Sequence, residues 1–224
     1  MSKVTFIRHA RLVSPYNDYG SLSFTDISDL ATGKIDPDVD PVMLSEVKKT
    51  LIRLKSVTER VIILHADSQR AFQTSEYIQK IAREEIGELP EIIQTPELNE
   101  IFFDPKKLMT SEEFMKDGLG CIRERVFDSL AGEKILGGEL KNKKSVESVK
   151  NIFSRIEKLE RKISALTSDG TQVICVTHGF LLRLLQIYFL LEEKQPSFVT
   201  KKHLYEMHNF EYGQGFLMEY IIGK

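Results

Sequence analysis

Residues 4–10 read VTFIRHA, a run of β-branched and aromatic side chains that ends in an arginine and a histidine. Such a short apolar run is typical of a buried strand, and Arg8 and His9 would lie at its C-terminal end. In open α/β sheets, ligands bind beyond the carboxyl ends of the strands. The stretch therefore predicts an α/β fold with a charged site at one edge of its sheet.

Two further apolar runs repeat this pattern along the chain. Residues 61–64 read VIIL and lead through HADSQ to Arg70, and residues 173–176 read VICV and lead into THG at 177–179. Shorter runs at 92–93 and 216–222 predict two more strands, and apolar spacing of three and four predicts helices over 44–54, 68–82, 145–166 and 180–190. Alternating strands and helices predict a three-layer α/β/α sandwich with a mostly parallel sheet and helices on both faces.

Two segments lack this periodicity. Residues 13–42 are rich in Ser, Asp, Gly, Pro and Tyr, which predicts a long loop. Residues 102–142 contain two short helical patterns, at 111–114 and 121–130. We interpret the whole segment 102–142 as an insertion that covers the predicted site. A length of 224 residues fits a single domain over 1–224 that carries this insertion.

Composition narrows the class of protein. Hydrophobic residues make up 42% and charged residues 29% of the chain, as in soluble globular proteins, and a net charge of -2 predicts no overall attraction to nucleic acid or an anionic membrane. Cys121 and Cys175 have neither a metal-site nor a disulfide spacing. No secretory leader or membrane-length apolar run is visible, so we expect a cytoplasmic protein.

The predicted strand ends converge on chemistry that suits a phosphoryl group. Arg8 and Arg70 supply guanidinium forks, which match phosphate oxygens and stay charged. A neutral imidazole from His9 or His178 can act as a nucleophile towards phosphorus. Gly179 would open a helix, where free backbone N–H groups favour an anion.

Five motifs follow one another between residues 4 and about 185. They are FIRHA at 6–10, RAFQT at 70–74, LNEI at 98–101, Glu147-Ser148 with Arg155, and VTHG at 176–179 with Arg183. Together and in this order they resemble the histidine phosphatase superfamily, which is also known as the phosphoglycerate-mutase-like family. In turn, they are similar to its Arg-His-Gly/Ala motif, its Arg-Ala-x-Gln-Thr helix start, its Leu-x-Glu segment, the start of its long helix and its second-histidine motif.

This resemblance implies a role for each matching residue. His9 would be the phosphorylated nucleophile, Arg8 and Arg70 would hold phosphate oxygens, and His178 would stabilise the transferring phosphoryl group. Glu100 would protonate the leaving oxygen and then activate water. The substrate would be a small-molecule or peptide phosphate ester, with no metal or other cofactor.

The chain departs from the family pattern on both sides of the predicted site. After His9 it has ARLVS in place of Gly-Glu-Thr/Ser, and Asn17 lies eight residues after His9 rather than about six. Asn17 would reach the phosphate only if the loop is two residues longer, and Arg11 is either a third phosphate ligand or an exposed loop residue. Residues 66–68 replace a Ser-Pro-Leu stretch, which removes a hydroxyl from the pocket rim and brings Asp67 near it.

Three functions remain open at this point. A phosphatase is favoured because the Glu-Arg-His-Tyr segment of cofactor-dependent mutases is missing after Leu98. The alternatives are a mutase-like phosphoryl transferase and a catalytically weak member that binds phosphorylated ligands. Glu97 or Asp104 could replace Glu100 as the acid, and Arg183 is interpreted as part of an ion pair under the sheet. The sequence does not indicate an oligomeric state.

Overall fold

The structure, a computed structural model, describes residues 2–53, 60–87, 89–132, 145–167, 170–192 and 194–220. Its five strands form one sheet in the order β3-β2-β4-β1-β5. The strands are β1 Ser2–Arg8, β2 Val61–His65, β3 Glu91–Gln94, β4 Gln172–Thr177 and β5 Gly215–Tyr220. Only β5 is antiparallel to its neighbour, so the prediction of a mostly parallel sheet is confirmed.

Helices flank this sheet and connect its strands, which confirms the predicted α/β/α architecture. Their bounds are α1 Phe24–Ala31, α2 Leu44–Arg53, α3 Gln69–Ile86, α4 Pro105–Leu108, α5 Ser111–Leu130, α6 Val149–Leu166, α7 Gly179–Leu190 and α8 Lys201–Glu206. Short 3₁₀ turns at Tyr19–Ser21, Pro41–Met43, Pro96–Leu98 and Pro196–Phe198 complete the connections.

The order of the strands decides where a ligand can bind. From β1 the chain continues to β2 on one side of the sheet, whereas from β4 it continues to β5 on the other side. β1 and β4 are themselves neighbours, with Ile7 opposite Val176 and Arg8 opposite Thr177. A crevice opens at such a switch point beyond the carboxyl ends of the two strands, and this is where His9 and His178 follow.

The core explains why the strands and the long helices could be found in the sequence. α6 buries one stripe, consisting of Val149, Ile152, Phe153, Ile156, Leu159 and Ile163, as its spacing predicts. α7 is apolar nearly all round and is buried from Leu181 to Tyr188. β5 approaches β1 closely at Gly215, where a Cβ atom would collide with the carbonyl oxygen of Phe6.

The prediction of one long loop over 13–42 is wrong, because it contains helix α1. Ser23 caps this helix by accepting a hydrogen bond from the Asp26 amide, and Asp26 accepts one from the Ser23 amide in return. Ile27 and Leu30 are buried three residues apart. This capping box and its apolar pair were the available signal, but a helix of eight residues carries too few apolar positions to show a clear period.

The segment 102–142 also differs from the prediction. The two predicted helices form one helix, α5, which is kinked at Gly118, where φ is 67°. The predicted helix over 145–166 begins only at Val149, because Ser148 is its N-cap and Val146 pairs with Phe103 instead. Residues 133–144, the predicted helix end at Leu54 and the predicted strand end at 221–222 lie outside the described residues.

Candidate active site

The two histidines meet at the carboxyl ends of β1 and β4. His9 follows β1 and donates its amide to the carbonyl oxygen of Thr177 over 2.9 Å, while His178 follows Thr177 directly. Their ring centroids are 5.0 Å apart, and only 3% of His9 and 4% of His178 is exposed. The parallel pairing of the two strands therefore delivers two imidazoles to one buried position.

The ring of His9 is protonated on Nδ1, which leaves Nε2 unprotonated. Its Nδ1 lies 2.8 Å from the carbonyl oxygen of Ala10, which can only accept, so Nδ1 carries the proton and Nε2 keeps its lone pair. Burial, and then the charges of His178, Arg70 and Arg8, hold the pKa of His9 well below 6.5. The ring is consequently neutral at physiological pH, with Nε2 available to attack an electrophile.

His178 is neutral for similar reasons. Burial lowers its pKa first, followed by the charges of Arg70, Arg8 and Arg155. Its Nε2 lies 3.3 Å from the hydroxyl oxygen of Ser68, the residue that caps α3. The altered stretch 66–68 therefore still supplies a hydroxyl beside His178, although Ser68 is not among the residues that line the cavity. The hydroxyl comes from the last residue of that stretch.

Asp67, which was expected near the pocket rim, is not among the residues that line the cavity. Its carboxylate accepts hydrogen bonds from the side-chain amides of Asn99 at 2.7 Å and Gln94 at 3.0 Å. The Asp67 amide donates to the side-chain oxygen of Asn99 in return. These bonds direct the Asp67 carboxylate towards β3 and the loop that follows it.

Arg8 and Arg70 flank the histidines. Arg8 donates from Nη1 to the carbonyl oxygen of Phe210 over 2.9 Å, and its guanidinium carbon is 4.0 Å from the ring centroid of Tyr212. Arg70 pairs with Asp36 through Nη1 at 2.7 Å. The Nε atoms of both arginines are buried, and neither has a hydrogen-bond partner within the described part of the chain. Buried donors of this kind are normally satisfied, so the pair suits a bound anion.

Gly179 lies against Arg8. A Cβ atom at this position would lie 3.4 Å from the guanidinium carbon of Arg8, which is close to van der Waals contact. The next two amides of α7, from Phe180 and Leu181, donate to the Glu100 carboxylate at 3.1 and 2.9 Å. The N-terminus of α7 is therefore already partly neutralised by a carboxylate of the chain itself.

Glu100 has an unusual environment for a carboxyl group. Burial raises its pKa above 4.5, although hydrogen bonds from the amides of Leu181, Phe180 and Ile101 and the charge of Arg8 act in the opposite direction. Arg155 fixes the preceding loop by donating to the carbonyl oxygens of Glu97 and Asn99, and it pairs with Glu147. A carboxyl group with a raised pKa, held on a fixed loop, stays protonated to higher pH than an ordinary glutamate, so it can serve as a proton donor.

These side chains surround one cavity of about 510 Å³. Arg8, His9, Arg70, Glu100, His178 and Gly179 all line it. Asn17 does not; it lies with Arg11 along a neighbouring cavity of about 300 Å³. The guanidinium of Arg11 donates to the backbone oxygen of Asn17 at 3.1 and 3.3 Å. The structure thus brings together six of the seven predicted residues and leaves Asn17 apart.

Arg183 also lines the cavity, where the sequence had suggested an ion pair under the sheet. Its Nη1 donates to the carbonyl oxygens of Leu204 and Met207, and no carboxylate of the described residues pairs with it. Sequence reasoning also missed Asp36, the partner of Arg70, and Thr74, whose hydroxyl accepts the Ala10 amide at 2.9 Å. Thr74 belongs to the RAFQT motif, whereas nothing in the sequence marked Asp36.

The described residues contain no group of three or more His, Cys, Asp or Glu side chains that could hold a metal ion. None of the helices within them has both the length and the apolar character that crossing a membrane requires.

Comparisons with known proteins identify the family of this chain and proteins that share its fold. The model of the histidine phosphatase superfamily, branch 1, matches residues 4–213. No curated protein sequence matches the chain at a significant level.

Solved structures of low sequence identity share the fold. The α-ribazole phosphatase of Shigella flexneri has a TM-score of 0.58 at 15% identity, over 97% of this chain and 90% of its own. A phosphoserine phosphatase of Entamoeba histolytica, in complex with 3-phosphoglyceric acid, has a TM-score of 0.54 at 17% identity, over 97% of this chain and 89% of its own. The phosphoglycerate mutase of Bacillus anthracis has a TM-score of 0.53 at 17% identity, over 87% of this chain and 82% of its own. With a family model that spans nearly the whole chain, this protein belongs to the histidine phosphatase superfamily.

Proposed function

We propose that the protein is a metal-independent phosphatase that hydrolyses phosphate monoesters through a phosphohistidine on His9. The observation that carries this proposal is the state of His9: a buried, neutral imidazole whose Nδ1 proton is held by Ala10, with Nε2 left free beside His178. A structural histidine would not need two arginines with unsatisfied Nε donors next to it. Superfamily membership supports phosphoryl chemistry but does not separate phosphatases from mutases.

In the first step, the ester's phosphoryl group would lie between Arg8, Arg70 and His178. The two arginines neutralise its charge, and the neutral His178 forms a hydrogen bond to one of its oxygens. His9 Nε2 attacks phosphorus, the P–O bond to the alcohol breaks, and the protonated Glu100 gives its proton to the leaving oxygen. The products of this step are the free alcohol, a phosphorylated His9 and a Glu100 carboxylate. The Nδ1–H bond to Ala10 then stabilises the charge that the imidazole has gained.

In the second step, the Glu100 carboxylate takes a proton from a water molecule, whose oxygen attacks phosphorus. The P–N bond breaks, inorganic phosphate leaves, and both His9 and Glu100 return to their starting states. The raised pKa of Glu100 suits both steps, because the group must be protonated before the first and deprotonated before the second. Positive side chains supply the neutralisation for which kinases use magnesium.

We extend the proposal to the remaining parts of the molecule. The chain would form a single catalytic domain, in which the segment 102–142 covers the substrate; α5 contributes Leu119, Ile122 and Arg123 to the cavity wall and supports this role. The substrate would be a small-molecule or peptide phosphate ester. Asn17 would contact it only if the loop after β1 rearranges, because it now lines the neighbouring cavity.

The test is the substitution His9→Asn, assayed with p-nitrophenyl phosphate. Loss of a nucleophile should lower kcat on the order of 10⁴-fold or more, while circular dichroism and the thermal midpoint show a folded protein. His65→Asn is a matched control: His65 is also buried at a strand end, and its Nδ1 also lies against the next residue's carbonyl oxygen, that of Ala66. Activity retained in His9→Asn would refute the proposal, and phosphoryl transfer between two organic acceptors without net hydrolysis would indicate a mutase.

A further inference from the structure

The cavity contains more positive charge than one phosphoryl group requires. Four arginines line it, Arg8, Arg70, Arg123 and Arg183, against the two carboxyl groups of Glu100 and Glu211. Only Arg70 forms a salt bridge with a carboxylate in the described part of the chain. If Arg8 and Arg70 hold the phosphate, Arg123 and Arg183 are left without an anionic partner.

Arg183 is the more informative of these two residues. It lies on α7 and is only 6% exposed, yet the groups that hold it are all neutral. Nη1 donates to the carbonyl oxygens of Leu204 at 2.9 Å and Met207 at 2.8 Å, and the guanidinium carbon is 5.5 Å from the ring centroid of Phe127. These contacts orient the guanidinium, but they do not neutralise it.

The charged neighbours of Arg183 are other cations. Burial lowers its pKa, and the charges of Arg123 and then Arg8 lower it further. A buried cation is usually paired, and one flanked by like charges is unfavourable unless an anion binds among them. Arg123 lies on the wall of the same cavity and is itself exposed, so a bound anion could reach it from solvent.

An apolar wall accompanies these charges. Ile27 and Leu30 of α1, Leu119 and Ile122 of α5, and Phe103 and Phe180 line the same cavity. Its volume of about 510 Å³ falls within the range of about 300 to 1,000 Å³ that is typical of small-molecule sites. A phosphate group alone would leave most of this space unfilled, so the alcohol part of the substrate must occupy it.

We propose that the substrate's alcohol carries an apolar body and a second anionic group, and that Arg183 and Arg123 bind this second anion while His9 attacks the phosphate. This inference rests on the proposed phosphatase function and adds a substrate class to it. The apolar body would pack against α1 and α5. A carboxylate and a phosphonate share the required chemistry, since both present paired oxygens to a guanidinium fork.

Three esters of one skeleton test the proposal. In each ester the phosphate is on the oxygen of a phenol. The phenol carries, para to that oxygen, a short saturated chain that ends in a primary amide, a carboxylate or a phosphonate. The saturated spacer keeps the leaving groups electronically similar, so differences in kcat/KM report on the far end of the cavity. For the wild-type chain we expect kcat/KM for either anionic ester to exceed that of the amide about 10-fold or more, as for a hydrogen-bonded charge pair.

Two variants assign the effect to residues. Arg183→Met should bring the ratio of kcat/KM for an anionic ester to kcat/KM for the amide close to one. Arg123→Met should lower this ratio in part. Because Arg183 holds α8 through two carbonyl oxygens, its variant can lose stability; Arg123 is exposed, and its variant keeps the test available. The ratio is measured on one preparation and is independent of the folded fraction. Arg161→Gln, an exposed arginine of α6, is the matched control and should keep the wild-type ratio.

A wild-type ratio near one, or a ratio unchanged in both arginine variants, would overturn the second-anion site while leaving the phosphatase proposal intact. If none of the esters, nor p-nitrophenyl phosphate, is hydrolysed, the phosphatase proposal fails instead. The same esters are then compared by calorimetry. A dissociation constant for the carboxylate ester about 10-fold or more below that of the amide would support the site, and equal constants would overturn it.

Discussion

The two ends of the cavity are fixed by different interactions. At the phosphate end, side chains follow strand ends or begin helices, and polar contacts hold them: His9 bonds to Ala10, Arg8 to Phe210, and Glu100 to the first amides of α7. At the far end, α1 and α5 contribute mainly apolar side chains that pack. Directional hydrogen bonds fix the orientation of each polar group, whereas the apolar side chains mainly define the shape and volume of the cavity. Substitutions at the first end should therefore change rate, and those at the second should change affinity.

Of the substitutions that distinguish the two ends of the cavity, Glu100→Gln at the phosphate end should lower kcat the most. Without a proton donor, kcat for an alkyl phosphate should fall about 10²- to 10⁴-fold. The fall should be smaller for p-nitrophenyl phosphate in the first step, since its leaving group needs no proton. Glu97→Gln changes a carboxyl group of the same loop that does not line the cavity, and it should keep near-wild-type rates. Equal losses for the two Glu variants would contradict the assignment.

The pH profile of the same variant sharpens this prediction. The lowered pKa of His9 keeps the ring neutral, and so nucleophilic, below pH 6.5, and the raised pKa of Glu100 keeps it protonated above pH 4.5. Wild-type kcat/KM for an alkyl phosphate should therefore be highest at acidic pH and fall as pH rises through the Glu100 pKa. In Glu100→Gln this alkaline fall should disappear. An identical profile in both proteins would show that another group titrates.

Asp36→Asn should have an intermediate effect, because Asp36 orients Arg70 without lining the cavity. Its carboxylate binds the Gln69 amide and Arg70 Nη1 together. Loss of this bidentate contact should lower kcat about 10-fold through misplacement of Arg70, while KM should not rise, since a competing negative charge is removed. Asp38→Asn is the matched control, because Asp38 lies two residues away and bonds to Gln73 instead. Similar losses in both variants would indicate general damage to the loop.

Leu119→Ala should have the smallest effect, and it should raise KM rather than lower kcat. Removing part of the apolar wall should weaken binding of 1-naphthyl phosphate by about 1 kcal/mol, or about 5-fold in KM. The value of kcat should stay within about 2-fold, because no group at the phosphate end moves. Methyl phosphate, which is too short to reach this wall, should show no change. Met115→Ala, at an exposed position of the same helix, is the control. A fall in kcat rather than a rise in KM would break the comparison.

The phosphate end could be predicted from the sequence because its determinants are local. A buried run such as VTFI fixes β1, and the residues that follow a strand must lie at the sheet edge, which places Arg8 and His9 without further information. The same reasoning places His178 after β4. Ser68, predicted as the first residue of a helix, is the N-cap of α3, a position that serine favours.

The rest depends on contacts between distant parts of the chain. Asp36 reaches Arg70 across 34 residues, and nothing near Asp36 indicates its partner. Arg183 looked like an ion-pair residue because its apolar surroundings show burial but not which charges lie nearby. Asn17 was placed by counting from His9, yet the fold of residues 10–17, and not their number, decides which cavity Asn17 faces. Tertiary packing supplies this information, and short sequence patterns do not.

The central claim is a covalent phosphoryl group on His9, and direct trapping tests it best. Glu100→Gln should be mixed with p-nitrophenyl phosphate, quenched rapidly in base, digested and sequenced by tandem mass spectrometry. Since the variant lacks the base for the second step, we predict a burst of p-nitrophenol and a phosphoryl group on the peptide that contains His9, with none in His9→Asn. Phosphorylation at another residue, or turnover with no modified peptide, would contradict the proposed mechanism.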